Sequence, residues 1–274
     1  VSMDITWFAQ HITQNQVRYM DFARDPGNLL LLLMEDGSIV TCTYDRNVNS
    51  RGWAKHVMKG SLEAICVTNG SSGSLIWTAM IAENGKVHIC ASLPALAVNR
   101  PFVDSGVYRP VIQHADGTYY VDNLDHLQNL EVGIVVDEAV RPPATVTNDA
   151  TYGGWHVKLT RAGVNAAVGL TYTARVRTVP YDKGAPDGAM TPYLRRWNKV
   201  FVRVWESAKP LINGKRAPER SPATPMNVPQ PTMTEDIQVT TTGWDRAAGL
   251  TIEQDLPLPL TVLAIFGELN IEGS

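Results

Sequence analysis

The sequence predicts an all-β protein: propeller-like antiparallel blades followed by a β-sandwich-like region. Three observations predict it. The first is a repeat. Met34-Glu35-Asp36-Gly37-Ser38-Ile39-Val40-Thr41-Cys42 recurs 48 positions on (82 − 34) as Ala82-Glu83-Asn84-Gly85-Lys86-Val87-His88-Ile89-Cys90. The second is strict alternation near the C-terminus, with Val200, Val202 and Val204 on one face and Phe201, Arg203 and Trp205 on the other. That is the period of a half-buried strand. The third is punctuation by Pro, Gly and Ser without any convincing amphipathic helix.

Within the repeat, the 48-residue register extends upstream without a gap. Val17-Arg18-Tyr19-Met20 falls on Ile65-Cys66-Val67-Thr68, and Leu30 to Leu33 on Thr78 to Ile81. Each copy reads as strand, turn, strand, two-residue Asp-Gly or Asn-Gly hairpin of type I′, strand, the glycine supplying positive φ. A repeat of roughly 40–50 residues made of antiparallel strands matches the period of a propeller blade. The alternative is two unrelated hairpins that happen to align.

The chain has 274 residues, 44% hydrophobic and 19% charged, enough for real cores in one large or two ordinary domains. Net charge −3 and a pI near 6.1 argue against a dedicated nucleic-acid binder, though not against a passive conduit. Three cysteines, Cys42, Cys66 and Cys90, all fall in predicted strands. Buried thiols are preferred there over disulfides or metal ligands. The apolar run from Leu29 to Met34 is too short to span a bilayer, and no signal peptide is visible. A start at Val1 without methionine suggests a processed chain or a piece of something longer.

In order, residues 4–13 form an entry segment with Trp7-Phe8. The two repeats follow, separated by a polar turn leading to a strand headed by Trp53, which suits the outer strand of the first blade. A boundary near Arg100-Pro101 divides 1–100, two blade-like repeats of an incomplete propeller, from 101–274. Beyond it, strands are expected at 118–121, 132–136, 155–159, 168–179, 198–206, 237–242, 250–253 and 260–269, with possible helical turns in 122–130. Residues 217–231 carry five prolines (Pro218, Pro222, Pro225, Pro229, Pro231) and are expected to project as an exposed loop.

Chemistry-bearing motifs are scarce. There is no phosphate-cradling Gly-rich loop, H-E-x-x-H, C-x-x-C pair or G-x-S-x-G elbow. Asp122, Asp125 and His126 read as a polar turn in preference to metal ligands or a carboxylate–imidazole pair. The stretch from Asp182 to Gly188 reads as a turn in preference to a calcium loop, lacking the ligand spacing and terminal glutamate. Arg195-Arg196-Trp197-Asn198-Lys199 has the basic–aromatic mix of single-strand binders, but the overall acidic balance favours reading it as an exposed strand edge. His114 and Asp116 flank another Asp-Gly turn. No catalytic, cofactor or metal residue is assigned.

Four segments carry a resemblance. Thr43-Tyr44-Asp45 follows the first hairpin and leads to Gly52-Trp53. Leu124-Asp125-His126-Leu127-Gln128-Asn129-Leu130-Glu131-Val132 comes next, then Val168-Gly169-Leu170-Thr171-Tyr172 with Thr178-Val179-Pro180. The last runs Gln254-Asp255-Leu256-Pro257-Leu258-Pro259-Leu260-Thr261-Val262-Leu263-Ala264. In this order they resemble the C-terminal half of the tail nozzle (tail tubular protein B-like) proteins of short-tailed bacteriophages. The likeness spans nearly the whole chain. Family members are longer, with an N-terminal platform absent here. Glu131 stands where a glycine-containing turn is commoner, and the turn over 182–190 is unusually long. The resemblance implies a non-enzymatic virion structural protein without cofactors. It implies a homo-oligomeric ring, typically a hexamer, below portal and adaptor, with tail fibres outside and DNA passing without sequence specificity. Another tail chain would supply the missing N-terminal part. Two other classes compete: a carbohydrate-binding or adhesion module using Trp53, Trp77, Trp155 and Trp244, and a glycoside hydrolase, which needs two paired carboxylates.

Overall fold

The computed structural model describes residues 4–25, 27–45, 50–70, 73–92, 102–180, 193–216, 229, 231–239 and 243–272. The boundary at 100–101, the 182–188 turn and the proline-rich loop, apart from Pro229 and Pro231, lie outside the described residues.

After a short helical entry (Trp7–Ala9, Gln10–Thr13), β1 (Val17–Ala23), β2 (Leu29–Met34), β3 (Ile39–Asp45) and β4 (Ser50–His56) form a four-stranded antiparallel meander. The Trp53 strand is its outer strand, as expected. A second meander follows: β5 (Gly60–Gly70), β6 (Gly73–Ala82) and β7 (Val87–Ala91). Up-and-down sheets of this kind are the unit of a propeller blade.

The 48-residue register holds for the second and third strands of each sheet. Leu33 pairs with Ile39 and Ile81 with Val87. It does not hold for the first strands. Met20 lies opposite Leu32, whereas Leu62 lies opposite Met80, a spacing of 42 (62 − 20). Eleven residues lie between Met20 and Leu32 (32 − 20 − 1) but seventeen between Leu62 and Met80 (80 − 62 − 1), because β5 and β6 are longer than β1 and β2 and their hairpin extends further.

The hairpins also differ from the two-residue type I′ turn expected. Gly37 N donates to Met34 O and Met34 N to Ser38 O, so the loop is Glu35-Asp36-Gly37. Only the glycine has positive φ (73°), as does Gly85 (74°) in the second copy. This is a type I turn closed by a glycine bulge. The Asp36 carboxylate accepts from Ser38 N at 3.0 Å, and Asn84 Oδ1 from Lys86 N at 3.1 Å, which fixes the turn. His114 to Thr118 repeats the geometry, with Gly117 at φ 86°. True two-residue turns with both central φ positive occur at Asp137-Glu138 and Asn213-Gly214.

Next come β8 (Asp104–Pro110), β9 (Ile112–Gln113), β10 (Tyr119–Val121), β11 (Glu131–Val136), β12 (Ala139–Thr145), β13 (Thr147–Asp149), β14 (Gly154–Leu159) and β15 (Asn165–Leu170). They make two four-stranded sheets, ordered β12-β11-β15-β8 and β13-β14-β10-β9. Single residues, Val111 and Val146, separate β8 from β9 and β12 from β13. The two sheets therefore share a continuous segment at each edge, a corner device of β-sandwiches. The alternating run over 168–179 is broken. β15 is buried on both faces, and β16 (Ala174–Arg177) starts a new sheet beyond residues 171–173.

The C-terminal strands are β17 (Arg195–Ser207), β18 (Leu211–Ile212), β19 (Lys215–Arg216), β20 (Met233–Val239), β21 (Thr251–Gln254) and β22 (Val262–Ile271). They form the sheets β16-β21-β18-β19 and β20-β17-β22. Val200, Val202 and Val204 are buried, and face a core with Ile212, Ile237, Leu250 and Ile252. That is the alternation read from the sequence.

One larger core runs from Ala23 to Leu170. It joins Leu31, Leu33, Leu62 and Met80 of the meanders to Val121, Leu124, Leu127, Ile134 and Val168 of the sandwich. A smaller cluster on the far side of the first meander, Leu32, Met34 and Val40, is covered by Ile12 of the entry helix.

Candidate functional site

The two meanders and the sandwich meet around a crevice of about 1520 Å³. Its floor is polar because β8 begins with an irregularity. Register shifts opposite Gly169, where a Cβ would meet Gly106 Cα at 2.7 Å and Asp104 O at 2.8 Å. Ser105 adopts φ +48°, which a side chain rarely takes. This turns its hydroxyl onto His88 Nδ1 at 3.0 Å, while His88 Nε2 meets His126 O at 2.8 Å. A carbonyl can only accept, so His88 Nε2 carries the proton and Nδ1 accepts from Ser105. His126 Nε2 in turn donates to Ser105 O at 3.1 Å, and Asn84 Nδ2 donates to His126 O and Gln128 O.

A hydroxyl on an imidazole oriented by a carbonyl is the skeleton of an activated nucleophile. Here Ser105 and His88 are both buried, and the bonds run between β7, the head of β8 and the 126–128 turn. The cluster fastens the second blade to the sandwich. Burial holds the His126 imidazole below its ordinary range.

Asp104 and Tyr172 sit at the crevice wall. Burial pushes the Asp104 carboxyl up to about 6, against a partial offset from Lys59. Burial raises the Tyr172 phenol too, with a further push from the Asp104 charge. His56, lowered by burial, shares a 2.9 Å contact with Thr41 Oγ1.

The residues singled out in the sequence are dispersed. His126 belongs to the crevice cluster, but Asp125 is exposed in a short helical turn over Asp125–Leu127. Arg195 is buried and donates to Arg246 O, Trp197 Nε1 donates to Ala248 O at 2.7 Å, and Arg196 lies over Trp244 at 5.2 Å. The basic–aromatic run is thus engaged within the fold. His114 and Asp116 do have partners: Tyr152 donates to Asp116 at 2.9 Å, and the His114, Tyr120, Tyr152 and His156 rings cluster. Trp53, Trp77, Trp155 and Trp244 lie on separate parts of the fold instead of along one groove. Among the described residues no three His, Cys, Asp or Glu side chains gather to hold a metal, and no helix is long and apolar enough to cross a membrane.

The cysteines correct one expectation. All three thiols are free; Cys42 is buried, Cys90 is half-buried, and Cys66 is exposed. Cys66 lies opposite Trp77 on the outward face of the second meander, beside Ile81, Val87 and Ile89. Trp77, Ile81, Val87 and Ile89 are all exposed, so this face is apolar. No protein-family model matches the sequence, and the search of curated proteins found no match.

Proposed function

We propose that the chain is a structural subunit of a virion, part of a ring-shaped phage tail nozzle through which DNA leaves. The observation that carries this reading is the open two-blade stack. Its two meanders pack on each other, yet apolar side chains stay exposed on the outward sheet faces at both ends. A closed propeller needs about four to eight blades, and on this reading further blades, from another tail chain among other sources, complete the stack. On this reading portal or adaptor and fibres bind elsewhere on the ring, and DNA passes without sequence readout. The acidic balance suits that role, since a conduit must not hold its cargo.

The test is immunogold labelling of purified particles together with DNA-binding titrations. Labelling at the tail, with weak and salt-sensitive DNA binding, is the expected result. Particles free of the chain, or nanomolar sequence-selective binding at physiological salt, overturn it. A second reading, an adhesion module, draws on the outer face of β17 and β22. There Phe201 and Phe266 stack at 5.7 Å, Arg203 lies over Phe266, and Trp205 is exposed. Glycan-dependent quenching of tryptophan fluorescence, lost in Trp205→Ala, would favour it.

A further inference from the structure

The two meanders dock asymmetrically, and each repeats half of the docking chemistry on its unoccupied side. The face of the first sheet carrying Leu31, Leu33 and Ile39 packs onto the face of the second carrying Leu62 and Met80. Leu62 N also donates to Gly37 O at 3.2 Å, and Val67 N to Asp21 Oδ2 at 2.6 Å. Shifted by 48, the docking residues Leu33, Ile39 and Thr41 become Ile81, Val87 and Ile89, with the same cross-strand pairing. Leu33, Ile39 and Thr41 are 0%, 7% and 8% exposed; Ile81, Val87 and Ile89 are 41%, 68% and 77% exposed. The second sheet therefore presents a docking face of the first sheet's kind with nothing on it among the described residues.

The other end of the stack is its complement. By pairing partners, Met20 occupies in the first sheet the place that Leu62 occupies in the second. Leu62 is fully buried beneath its neighbour, whereas Met20 is 67% exposed and Phe22, on the same face, 43%. The entry helix covers Leu32, Met34 and Val40 and leaves this part bare. Among the described residues, one copy thus carries both an uncovered donor face and an uncovered acceptor face, of the two types that already fit each other within the chain.

We propose that the Ile81–Val87–Ile89 face docks, head to tail, onto the Met20–Phe22 face of a second copy of this chain. The proposal rests on the structural-subunit reading and names the surfaces through which subunits join. Unlike faces meeting in one direction make a heterologous interface, the kind that closes into rings when the rotation allows. Exposed apolar sheet faces are otherwise sites of uncontrolled association.

Sedimentation velocity on the full chain, across a wide concentration range, tests it with Ile89→Lys and Met20→Lys. Both positions are exposed, and matching circular dichroism and melting of the monomers verifies folding. Val164→Lys, on an exposed loop, is the control. Each of the two single variants is expected to weaken association by about thirtyfold or more, the loss of one interface hot spot. Mixing the two restores a dimer, since each supplies the face the other lacks, but nothing larger. Alkylation of Cys66 by iodoacetamide gives a second readout, slowing as the wild type associates.

A wild-type monomer at all concentrations overturns the proposal. So does association that Met20→Lys leaves unchanged, which means a symmetric contact, or a Cys66 thiol already protected in the monomer, which means the chain covers its own face. A monomer that binds a different tail chain through Ile89 also overturns it, while leaving the structural-subunit reading intact. Failure of tail labelling would instead remove that reading and not the self-association.

Discussion

Replacing Asp104 by Asn should make the protein more stable at pH 8 and nearly unchanged at pH 4. The carboxyl lines the crevice and burial lifts its pKa from 3.8 to about 6. Between those values the folded state binds more protons than the unfolded state. Stability therefore falls as pH rises from about 4 to about 6 and is flat above, the reverse of an ion-paired aspartate. A gap of about two units corresponds to roughly 3 kcal/mol at most. Asp104 is only half-buried and Lys59 lies near, so solvent screening reduces the measurable gain to about 1–2 kcal/mol. Asn has the same shape and no charge, so it removes the penalty without opening a cavity. Urea unfolding of both proteins at pH 4 and pH 8 reads the effect as a double difference. Contributions common to both proteins, such as the lowered carboxyls of Asp36 and Asp116, cancel there. The Tyr172 phenol should also titrate lower in the variant, because the Asp104 charge contributes to its rise. An Asn variant equally stable or less stable at pH 8, or a difference independent of pH, would refute the desolvation argument.

Three further outcomes are expected. Gly37→Ala should cost about 2 kcal/mol or more and Gly85→Ala about 1; both hold an alanine at positive φ, but only at Gly37 does a Cβ meet Ser61 Oγ at 2.6 Å, and chemical denaturation of the pair checks the ordering. Glu138→Gly should stabilise by about 0.5–1 kcal/mol, because Glu138 holds φ 65° in an exposed two-residue turn; an unchanged or lower melting temperature counts against it. Leu62→Ala should cost about 3 kcal/mol, and calorimetry should show the meanders and the 104–170 sandwich melting together, since Leu62 belongs to their shared core.

What was legible in the sequence was local. Asp-Gly and Asn-Gly announced three hairpins because the glycine's positive φ is a property of one residue. The loop length around them depends on hydrogen bonds that dipeptides do not encode, and Asp36 bonding Ser38 selected three residues over two. Alternation located β17 because one of its faces meets a core and the other meets solvent. It misjudged 168–179, where β15 is buried on both sides and the chain then leaves the sheet. The crevice cluster had no local signature at all. His88, Ser105 and His126 are ordinary residues in separate segments, joined only when the second meander reaches the sandwich.

The docking faces show how a repeat can be visible while its consequence is hidden. Identity at 48-residue spacing identifies β2 with β6 and β3 with β7, but which side of each strand is covered depends on the first strands. There the sequence alignment and the pairing disagree, at 48 against 42. A bulge between Leu62 and Ala64 adds one residue and reverses side-chain parity along the remainder of β5. Cys66 thus comes to the outward face beside Trp77, although its strand position in the repeat suggested a buried thiol. Only after the partners are known can Met20 be matched with Leu62 and Ile81 with Leu33. Those matches carry the functional content, since each pairs a buried residue with an exposed one in the same structural place. The second sheet hides Leu62 against the first, while the first sheet bares Met20 at the equivalent position, so among the described residues the same structural place is covered in one sheet and open in the other.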